Sequence, residues 1–305
     1  MGAGARLAAY GAGLVVAFGA SYGIAGAVVP DEVVARWSES GPTQAADEHA
    51  AAGPHEGADA IDHTPAGVAL EADGYRLSPV TAPRRAGSAG TLSFRVLDAH
   101  GEPLTEYTEA HEQDLHLVVV RSDGSGYRHV HPRLDRASGT WSLPWTWDEA
   151  GPHRVYADFT PGVEGAKGVT LSRTVDVAGA YRPVAQRPSR TDEVDGYTVT
   201  IDGHLEAGAA TDLTVSVERD GRPVTDVQPY LGAFGHLVAL RQGDLAYVHV
   251  HAEGEEPAAD ETTGPHIDFT AETPTAGRYL LYLDLRVDDE VHTAAFVLDA
   301  REGTS

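Results

Sequence analysis

The fold of this chain is decided by one stretch that occurs twice, HLVVVRSDGSGYRHVH at residues 116–131 and HLVALRQGDLAYVHVH at residues 236–251. In each copy, a run rich in Val and Leu is followed by a short polar loop and then by a second strand-like run. Two antiparallel strands joined in this way form a β-hairpin. The stretch therefore predicts the same hairpin in two places, each inside a copy of one β-domain.

Agreement between the two halves continues on both sides of this hairpin and in the same order. Asp73-Gly-Tyr75 recurs as Asp195-Gly-Tyr197, and Tyr156-Ala-Asp158 recurs as Tyr282-Leu-Asp284. An internal duplication explains such ordered agreement most simply. The predicted organisation comprises a first repeat at 70–179, a proline-containing linker at 180–192, a second repeat at 193–300 and a tail at 301–305.

Each repeat is rich in short runs of Val, Leu, Tyr and Thr punctuated by Gly, Pro, Asp and Ser, which is typical of antiparallel β-structure. The predicted fold class is all-β, with two tandem antiparallel β-sandwich domains of the immunoglobulin or cupredoxin type. We expect the three tryptophans of the first repeat to be buried and His153 to lie on the surface. The predicted strands of that repeat are Thr91–Leu97, Leu115–Arg121, Tyr127–His131, Arg154–Phe159 and Leu171–Val177.

Composition narrows the function classes. The 22 basic and 46 acidic side chains give a net charge of -24, which disfavours contact with phosphate backbones, so no nucleic-acid partner is expected. Cysteine is absent and the single methionine is Met1, which excludes disulfides, thiolate nucleophiles and sulfur ligands in the domains. The 15 histidines are the side chains whose chemistry stands out.

The N-terminal segment at residues 7–29 carries no charged side chain and is long enough to cross a bilayer as a helix. It predicts a single-pass anchor in the cell membrane, with residues 1–6 in the cytoplasm, a flexible acidic linker at 30–69 and both repeats outside. The alternative is a cleaved signal peptide, because Ala25-Gly-Ala27 has the form of a cleavage site. The linker histidines could also collect metal weakly, although a solvated linker explains them as well: His49, His55 and His63.

The histidines of the duplicated stretch share one spacing in both copies. Alternation along a strand places His129 and His131 on one face. If the hairpin pairs across its four-residue loop, Val118 lies opposite His129 and His116 lies opposite His131. The same register in residues 236–251 sets the equivalent three histidines together. The sequence therefore predicts three converging imidazoles in each repeat.

Converging neutral imidazoles are a common way to hold Cu(II), Zn(II) or Ni(II), because each offers a nitrogen lone pair at about 2 Å. The predicted ligands are His116, His129 and His131 in the first repeat and His236, His249 and His251 in the second. Hydrogen-bonded core or sheet-edge histidines are the alternative. Further candidates for completing or supporting the sites are His111, His292, Asp158 and Asp284.

The strand pattern, the tether and the histidine-rich hairpins resemble bacterial cupredoxin-like and copper-resistance-type β-sandwich domains. The sequence of residues 116–132 is also similar to membrane-anchored bacterial proteins described loosely as heavy-metal binding. The resemblance implies copper handling outside the cytoplasm. The chain departs from the blue-copper pattern because it has neither the cysteine nor the axial methionine of such a centre.

A rival resemblance lies in the second repeat, where Gly243, His249-Val-His251 and Glu255 are similar to the first motif of the cupins. That likeness implies a metal-dependent oxygenase or isomerase. Gly264 follows at the wrong interval, the second cupin motif is not visible, and the first repeat breaks the pattern at Gly124 and Asp135. Binding is therefore expected rather than catalysis.

The main expectation is a membrane-tethered protein that binds, buffers or delivers a divalent metal outside the cytoplasm, Cu(II) in preference to Zn(II). A metal transporter or a copper enzyme is the expected partner. The alternatives are a metal-independent adhesion or assembly module, in which the sandwiches act as spacers, and a cupin-like enzyme.

Overall fold

The computed structural model describes residues 67–248, 250–254, 256–258 and 260–303, with the backbone alone at residue 251. The predicted anchor at 7–29 and almost all of the predicted linker at 30–69, with its three histidines, lie outside these ranges. Within them, no helix has the length and hydropathy needed to cross a bilayer.

The first repeat is an antiparallel β-sandwich. Its strands are β1 (Glu71–Ala72), β2 (Tyr75–Leu77), β3 (Gly90–Leu97), β4 (Tyr107–Thr108), β5 (His116–Arg121), β6 (Arg128–Val130), β7 (Arg133–Asp135), β8 (Thr140–Trp145), β9 (Gly151–Pro161) and β10 (Val169–Val177). One sheet has the order β1-β2-β3-β8-β7, and the other has the order β10-β9-β5-β6 with β4 beside β9. The predicted all-β fold is confirmed, and the predicted strands correspond to β3, β5, β6, β9 and β10.

The second repeat has the same two-sheet plan. Its strands are β11 (Thr191–Val194), β12 (Tyr197–Gly203), β13 (Leu205–Glu206), β14 (Ala209–Arg219), β15 (Arg222–Pro223), β16 (His236–Arg241), β17 (Tyr247–Val248), β18 (Val250–Ala252), β19 (His266–Thr273), β20 (Gly277–Val287) and β21 (Glu290–Arg301). One sheet runs β11-β12-β14-β19-β18 with β15 beside β14, and the other runs β13-β21-β20-β16-β17. The internal duplication read from the sequence is therefore a duplication of architecture.

Each sandwich encloses its own apolar core, because alternate residues of the facing strands point inward. The first core contains the rings of Trp141, Trp145 and Trp147, all at most 3% exposed, as predicted. His153 is also buried, with 4% of its surface exposed, so its predicted surface position is wrong. Its ring lies 4.6 Å from that of Trp147, and its Nδ1 lies 3.0 Å from the Gly151 carbonyl oxygen, which supplies its polar partner.

Strands β5 and β16 are buried on both faces, which is unusual for an antiparallel sheet with a solvent side. Their inner residues join the two cores, and their outer residues meet each other in a third apolar cluster. We call this cluster the junction; it contains Val118, Val120, Tyr127, Tyr156, Val238, Leu240, Leu245, Tyr247, Leu280, Tyr282 and Val297. The two repeats therefore pack face to face through equivalent sheets.

The contacts across the junction are nearly reciprocal. The Tyr156 hydroxyl donates to the Leu245 carbonyl at 2.6 Å, and the equivalent Tyr282 hydroxyl donates to the Gly124 carbonyl at 2.6 Å. Each tyrosine thus reaches the hairpin loop of the other repeat. Such self-complementary contact is what a two-fold axis produces between identical surfaces, here between two copies within one chain.

The linker at 180–192 is fastened to both repeats. The Val184 N–H donates to Asp123 at 2.7 Å, and the Tyr181 and Ser122 hydroxyls lie 3.0 Å apart. Near its other end, Ser189 exchanges two backbone hydrogen bonds with Val297 of β21. The linker therefore adds contacts that hold the packed pair together.

Candidate functional site

Three histidines of the first repeat converge on the outer face of the β5–β6 hairpin, beside the junction. The two strands pair with Val118 opposite His129, which confirms the predicted register. His116 lies on the same face of β5 as Val118, and His131 follows His129 by two residues. Alternation and register together bring the three rings to one place.

The ring nitrogens of this trio are close to coordination distances. His116 Nδ1 lies 3.0 Å from His129 Nε2 and 3.2 Å from His131 Nε2. Three ligand nitrogens can be chosen that all lie within 4.8 Å of one another. Around a tetrahedral ion with metal–nitrogen distances near 2.0 Å, neighbouring nitrogens are separated by about 3.3 Å. The two distances from His116 therefore already suit ligands of one ion.

The hydrogen bonds on the far side of two rings fix their tautomers. His116 Nε2 lies 3.0 Å from the Ala110 carbonyl, and because a carbonyl only accepts, His116 carries its proton on Nε2. His129 Nδ1 lies 2.8 Å from an Asp284 carboxylate oxygen and is likewise the protonated nitrogen. In the neutral rings, His116 Nδ1 and His129 Nε2 then face each other with lone pairs. That arrangement attracts a cation, which can be a proton or a metal ion.

Burial weakens the competition from protons. The pKa of His116 is lowered to about 3, mainly by desolvation; the Ala110 bond opposes the shift and the neighbouring histidines add to it. Desolvation also lowers the pKa of His131 to about 4. Both rings are therefore neutral near pH 7, with lone pairs available to a ligand.

The second repeat contributes rings to the same place. His236, the equivalent of His116, stacks on it with ring centroids 5.5 Å apart and planes at 9°, and it lies 4.8 Å from the ring of His129. His111 is 6.0 Å from His116 and 5.7 Å from His236. We call these five rings the histidine cluster: His111, His116, His129, His131 and His236. The sequence predicted two separate trios, whereas the structure gathers histidines of both repeats at the junction.

Both candidate aspartates lie at this junction. Asp158 pairs with His116 across β5 and β9, and Asp284 pairs with His236 across β16 and β20. Each accepts a hydrogen bond from a threonine hydroxyl of the next strand, Thr170 at 2.8 Å and Thr293 at 2.6 Å. Asp284 also accepts from His129 of the other repeat. The aspartates therefore line the cluster, and one of them connects the repeats.

His292 lies apart from the cluster. It is paired with Leu285, a residue of the second core, so its ring points into that sandwich and not towards the face that carries Asp284. Its Nδ1 lies 2.9 Å from Asp195, and its ring lies 4.8 Å from that of Tyr197. The structure thus separates this candidate from the converging rings.

The second hairpin departs from the first beyond its loop. The Arg241 N–H donates to the Ala246 carbonyl at 2.9 Å, which agrees with the predicted loop. The strand keeps this pairing only to Val248, and His251 is paired through its backbone with Thr270 of the opposite sheet. The backbone partner of His251 is therefore not the predicted His236. His249 and Glu255, and with them the cupin-like pattern, lie outside the described residues.

A cavity of about 420 Å³ opens beside His111 and His236. Its lining also includes the apolar residues Phe234 and Ile267. The acidic residues of its lining are Glu109, Glu112, Asp158, Glu253 and Glu256. Clustered carboxylates raise the local concentration of cations, so the cavity provides an electrostatically favourable approach to the cluster.

Sequence reasoning missed the junction itself, although two signals indicated it. The outer positions of β5 are as apolar as its inner ones, which is typical of a strand covered on both sides. The motif Tyr156-Ala-Asp158 and its copy at 282–284 supply both the crossing tyrosine hydroxyls and the aspartates. A tyrosine and an aspartate repeated at the same place in both copies are typical of an interface in which the two copies contact each other.

The chain belongs to a protein family described as a domain of unknown function (DUF8832), whose model matches twice, at residues 70–182 and 192–302. The match establishes a tandem pair of one domain type. The family description names no metal, so the resemblance to copper and heavy-metal proteins remains a prediction. The comparison with curated proteins gave no match.

Similar solved structures include FdeC, an Escherichia coli adhesin, with 18% identity over 76% of this chain and 66% of that chain and a TM-score of 0.23. Invasin, a bacterial integrin-binding protein, has 13% identity over 75% of this chain and 39% of that one, with a TM-score of 0.23. A Salmonella alpha-2-macroglobulin mutant has 16% identity over 79% and 15%, also with a TM-score of 0.23. This chain spans less than two thirds of the length of each of these solved chains.

Proposed function

We propose that this chain is a membrane-tethered, non-catalytic protein that binds a divalent metal ion outside the cytoplasm at its histidine cluster. The ligands are His116, His129 and His131. Cu(II) is the preferred ion over Zn(II), because imidazole nitrogen suits both and affinity for a given nitrogen site rises towards Cu(II). Buffering the ion, or delivering it to a transporter or a copper enzyme, is the proposed role.

One observation carries this proposal. The Ala110 carbonyl and the Asp284 carboxylate fix the protons of His116 and His129 on their outer nitrogens, so two lone pairs face each other at 3.0 Å. A metal ion between them replaces this repulsion with two bonds. Ligating histidines in metalloproteins characteristically give their other N–H to a carbonyl or carboxylate, which is the arrangement present here.

The rest of the proposal rests on the charge pattern and on the N-terminal segment. The net charge of -24 and the acidic cavity favour cations over anions near the cluster. The uncharged stretch at residues 7–29 supports a membrane tether with the repeats outside the cytoplasm.

Calorimetric titration of the full chain with Cu(II), and separately with Zn(II), tests the proposal. Wild-type protein should bind Cu(II) more tightly than Zn(II), and the variant with His116, His129 and His131 replaced by alanine should lose the tight site. The matched control replaces three exposed histidines, His100, His204 and His266, by alanine and should bind as the wild type does. Equal binding by the two triple variants would show that the ion, if bound, sits elsewhere.

A second candidate is a metal-independent adhesion or assembly module. It is supported by the packing of the repeats, in which the junction and the hydrogen bond from His129 to Asp284 connect the two sandwiches. A spacer needs repeats that are held together in this way. FdeC is an adhesin and invasin is an integrin-binding protein; for this chain, adhesion is a proposal based on the paired repeats.

Thermal unfolding separates the two candidates. A ligand that binds only the folded state raises the unfolding midpoint with its concentration. Metal binding therefore predicts a midpoint that rises when Cu(II) is added and returns when a chelator follows. An unfolding midpoint that changes neither with Cu(II) nor with the chelator would favour the adhesion or assembly module.

A further inference from the structure

We propose that the second repeat completes the metal site of the first, so that binding of the ion fastens the two repeats together. This inference rests on the proposed function and assigns a role to Asp284. That residue belongs to the second repeat, yet its carboxylate accepts the hydrogen bond from His129 of the first repeat. Asp284 is the positioning residue of a site whose ligands lie in the other domain.

The hydrogen bond between His129 and Asp284 is short and shielded from solvent. His129 Nδ1 and Asp284 Oδ2 are 2.8 Å apart, and the two side chains are 1% and 4% exposed. Removal of water strengthens a charge-assisted hydrogen bond and makes the loss of either partner costly. The carboxylate therefore holds the ring of His129 with Nε2 turned towards His116, and it makes that nitrogen a stronger donor to a metal.

Asp284 is itself held in place. Its other oxygen accepts the Thr293 hydroxyl at 2.6 Å, and β16 and β20 pair it with His236. The ring of His236 in turn covers both His116 and His129. The second repeat thus supplies a fixed carboxylate, that of Asp284, and a stacked ring, that of His236. Both groups contact the ligands of the first repeat.

The packing around the site explains why these groups meet only in the assembled pair. The equivalent rings of His116 and His236 stack at 9°, which places the approximate two-fold axis between them. Within the junction, the rings of Tyr127 and Tyr282 stack with centroids 4.1 Å apart. Separation of the repeats removes Asp284 and His236 from the ligands, so an ion that binds the complete site favours the packed pair.

The test compares two histidine–aspartate pairs in the full chain, one enclosed between the repeats and one whose aspartate is 65% exposed. Asp284→Asn removes the charge behind His129 with almost no change of shape, and the control Asp195→Asn does the same behind His292, which lies apart from the cluster. Loss of an outer carboxylate typically weakens metal binding by about 10-fold to 100-fold. We expect a Cu(II) affinity loss of that size for Asp284→Asn and wild-type affinity for Asp195→Asn.

A second readout excludes a purely structural effect. The electron paramagnetic resonance spectrum of bound Cu(II) should change in Asp284→Asn, because His129 becomes a weaker ligand, and should stay unchanged in Asp195→Asn. If Asp284→Asn does not fold, Thr293→Val removes only the hydroxyl that orients Asp284. It should cause a smaller loss of affinity, of about 2-fold to 10-fold by the same effect.

The outcomes separate this inference from the proposed function. Failure of the wild-type chain to bind Cu(II) or Zn(II) overturns the proposed function and the inference with it. Tight wild-type binding that is lost in the His116, His129 and His131 variant but kept in Asp284→Asn, with an unchanged spectrum, overturns the inference alone.

Discussion

The two repeats begin their hairpins with nearly the same sequence and end them differently. In the first repeat, β6 stays beside β5 through Val130, and the chain then changes sheet at Pro132. In the second repeat the change comes earlier, because β18 at Val250–Ala252 already pairs with β19. His131 therefore joins the first hairpin's trio, whereas the backbone at His251 is hydrogen-bonded to the opposite sheet. One duplicated stretch gives two different strand paths.

The hairpin loops differ in burial as well. Arg121 and Asp123 form a salt bridge at 2.7 Å, with side chains 3% and 5% exposed. The corresponding pair in the second repeat, Arg241 and Asp244, is 20% and 44% exposed. The linker accounts for part of this, since Val184 donates to Asp123. The first repeat therefore carries the more enclosed loop.

The largest expected effect comes from breaking the enclosed salt bridge. Arg121→Ala leaves the Asp123 carboxylate buried beside an empty space, and removal of one partner of a buried pair costs about 3 to 5 kcal/mol. Arg241→Ala breaks a pair whose aspartate is 44% exposed and should cost at most about 1 kcal/mol. Urea unfolding of both variants measures the difference. Similar losses in the two would show that the repeats do not differ in this way.

The second effect concerns the equivalent histidines that stack at the junction. His116→Ala removes a proposed ligand and should weaken Cu(II) binding by at least the roughly 100-fold that loss of a strong outer-shell partner reaches. His236→Ala removes a ring that packs on the ligands, and a loss of no more than about 10-fold is expected. Titration of both variants with Cu(II) compares their losses of affinity. The reverse order would move the ion to the second repeat.

The sequence was sufficient for the fold class, the duplication and the first hairpin. Alternating and apolar runs are local signals, so the β-strands and the pairing of Val118 with His129 could be predicted from them. The sheet change in the second repeat could not be predicted. It depends on which neighbouring strand offers free backbone groups near Val250, and this is a property of the assembled sandwich.

For the site, spacing predicted the trio of the first repeat but not its surroundings. Nothing near His129 in sequence indicates that its partner is Asp284, 155 positions along the chain in the other repeat. Nor does spacing indicate the burial that lowers the pKa of His116. The burial of His153 was missed for the same reason, since only the packed strands show that its ring lies against Trp147.

The third effect concerns the loop glycines. Gly124 has a φ of +84°, and a Cβ there would lie 2.4 Å from Leu280 of the second repeat. Gly124→Ala should cost about 2 to 3 kcal/mol, from backbone strain and overpacking together. Gly243 also has a positive φ but nothing within 4 Å of an added Cβ, so Gly243→Ala should cost only about 1 kcal/mol. Thermal unfolding compares them, and equal shifts would contradict a tight junction at Gly124.

The smallest effect is the pH dependence of the metal-free protein. His116 and His131 have folded-state pKa values of about 3 and about 4, below the ordinary 6.5 that they regain on unfolding. The unfolded chain therefore binds more protons below pH 6.5. The free energy of unfolding should be insensitive to these two groups above that pH and should fall by about 1 kcal/mol per histidine between pH 6.5 and about 5.5.

Urea unfolding with a chelator at several pH values measures this slope, and two variants assign it to the cluster. His131→Gln removes one half-buried neutral imidazole, so the stability of this variant should fall less steeply with acid than that of the wild type. His266→Gln replaces an exposed ring of the second repeat and should leave the slope unchanged. If the free energy of unfolding had the same pH slope in both variants, acid sensitivity would not arise from the histidine rings of the first repeat. The burial of the hairpin loop would then be the remaining difference between the two repeats.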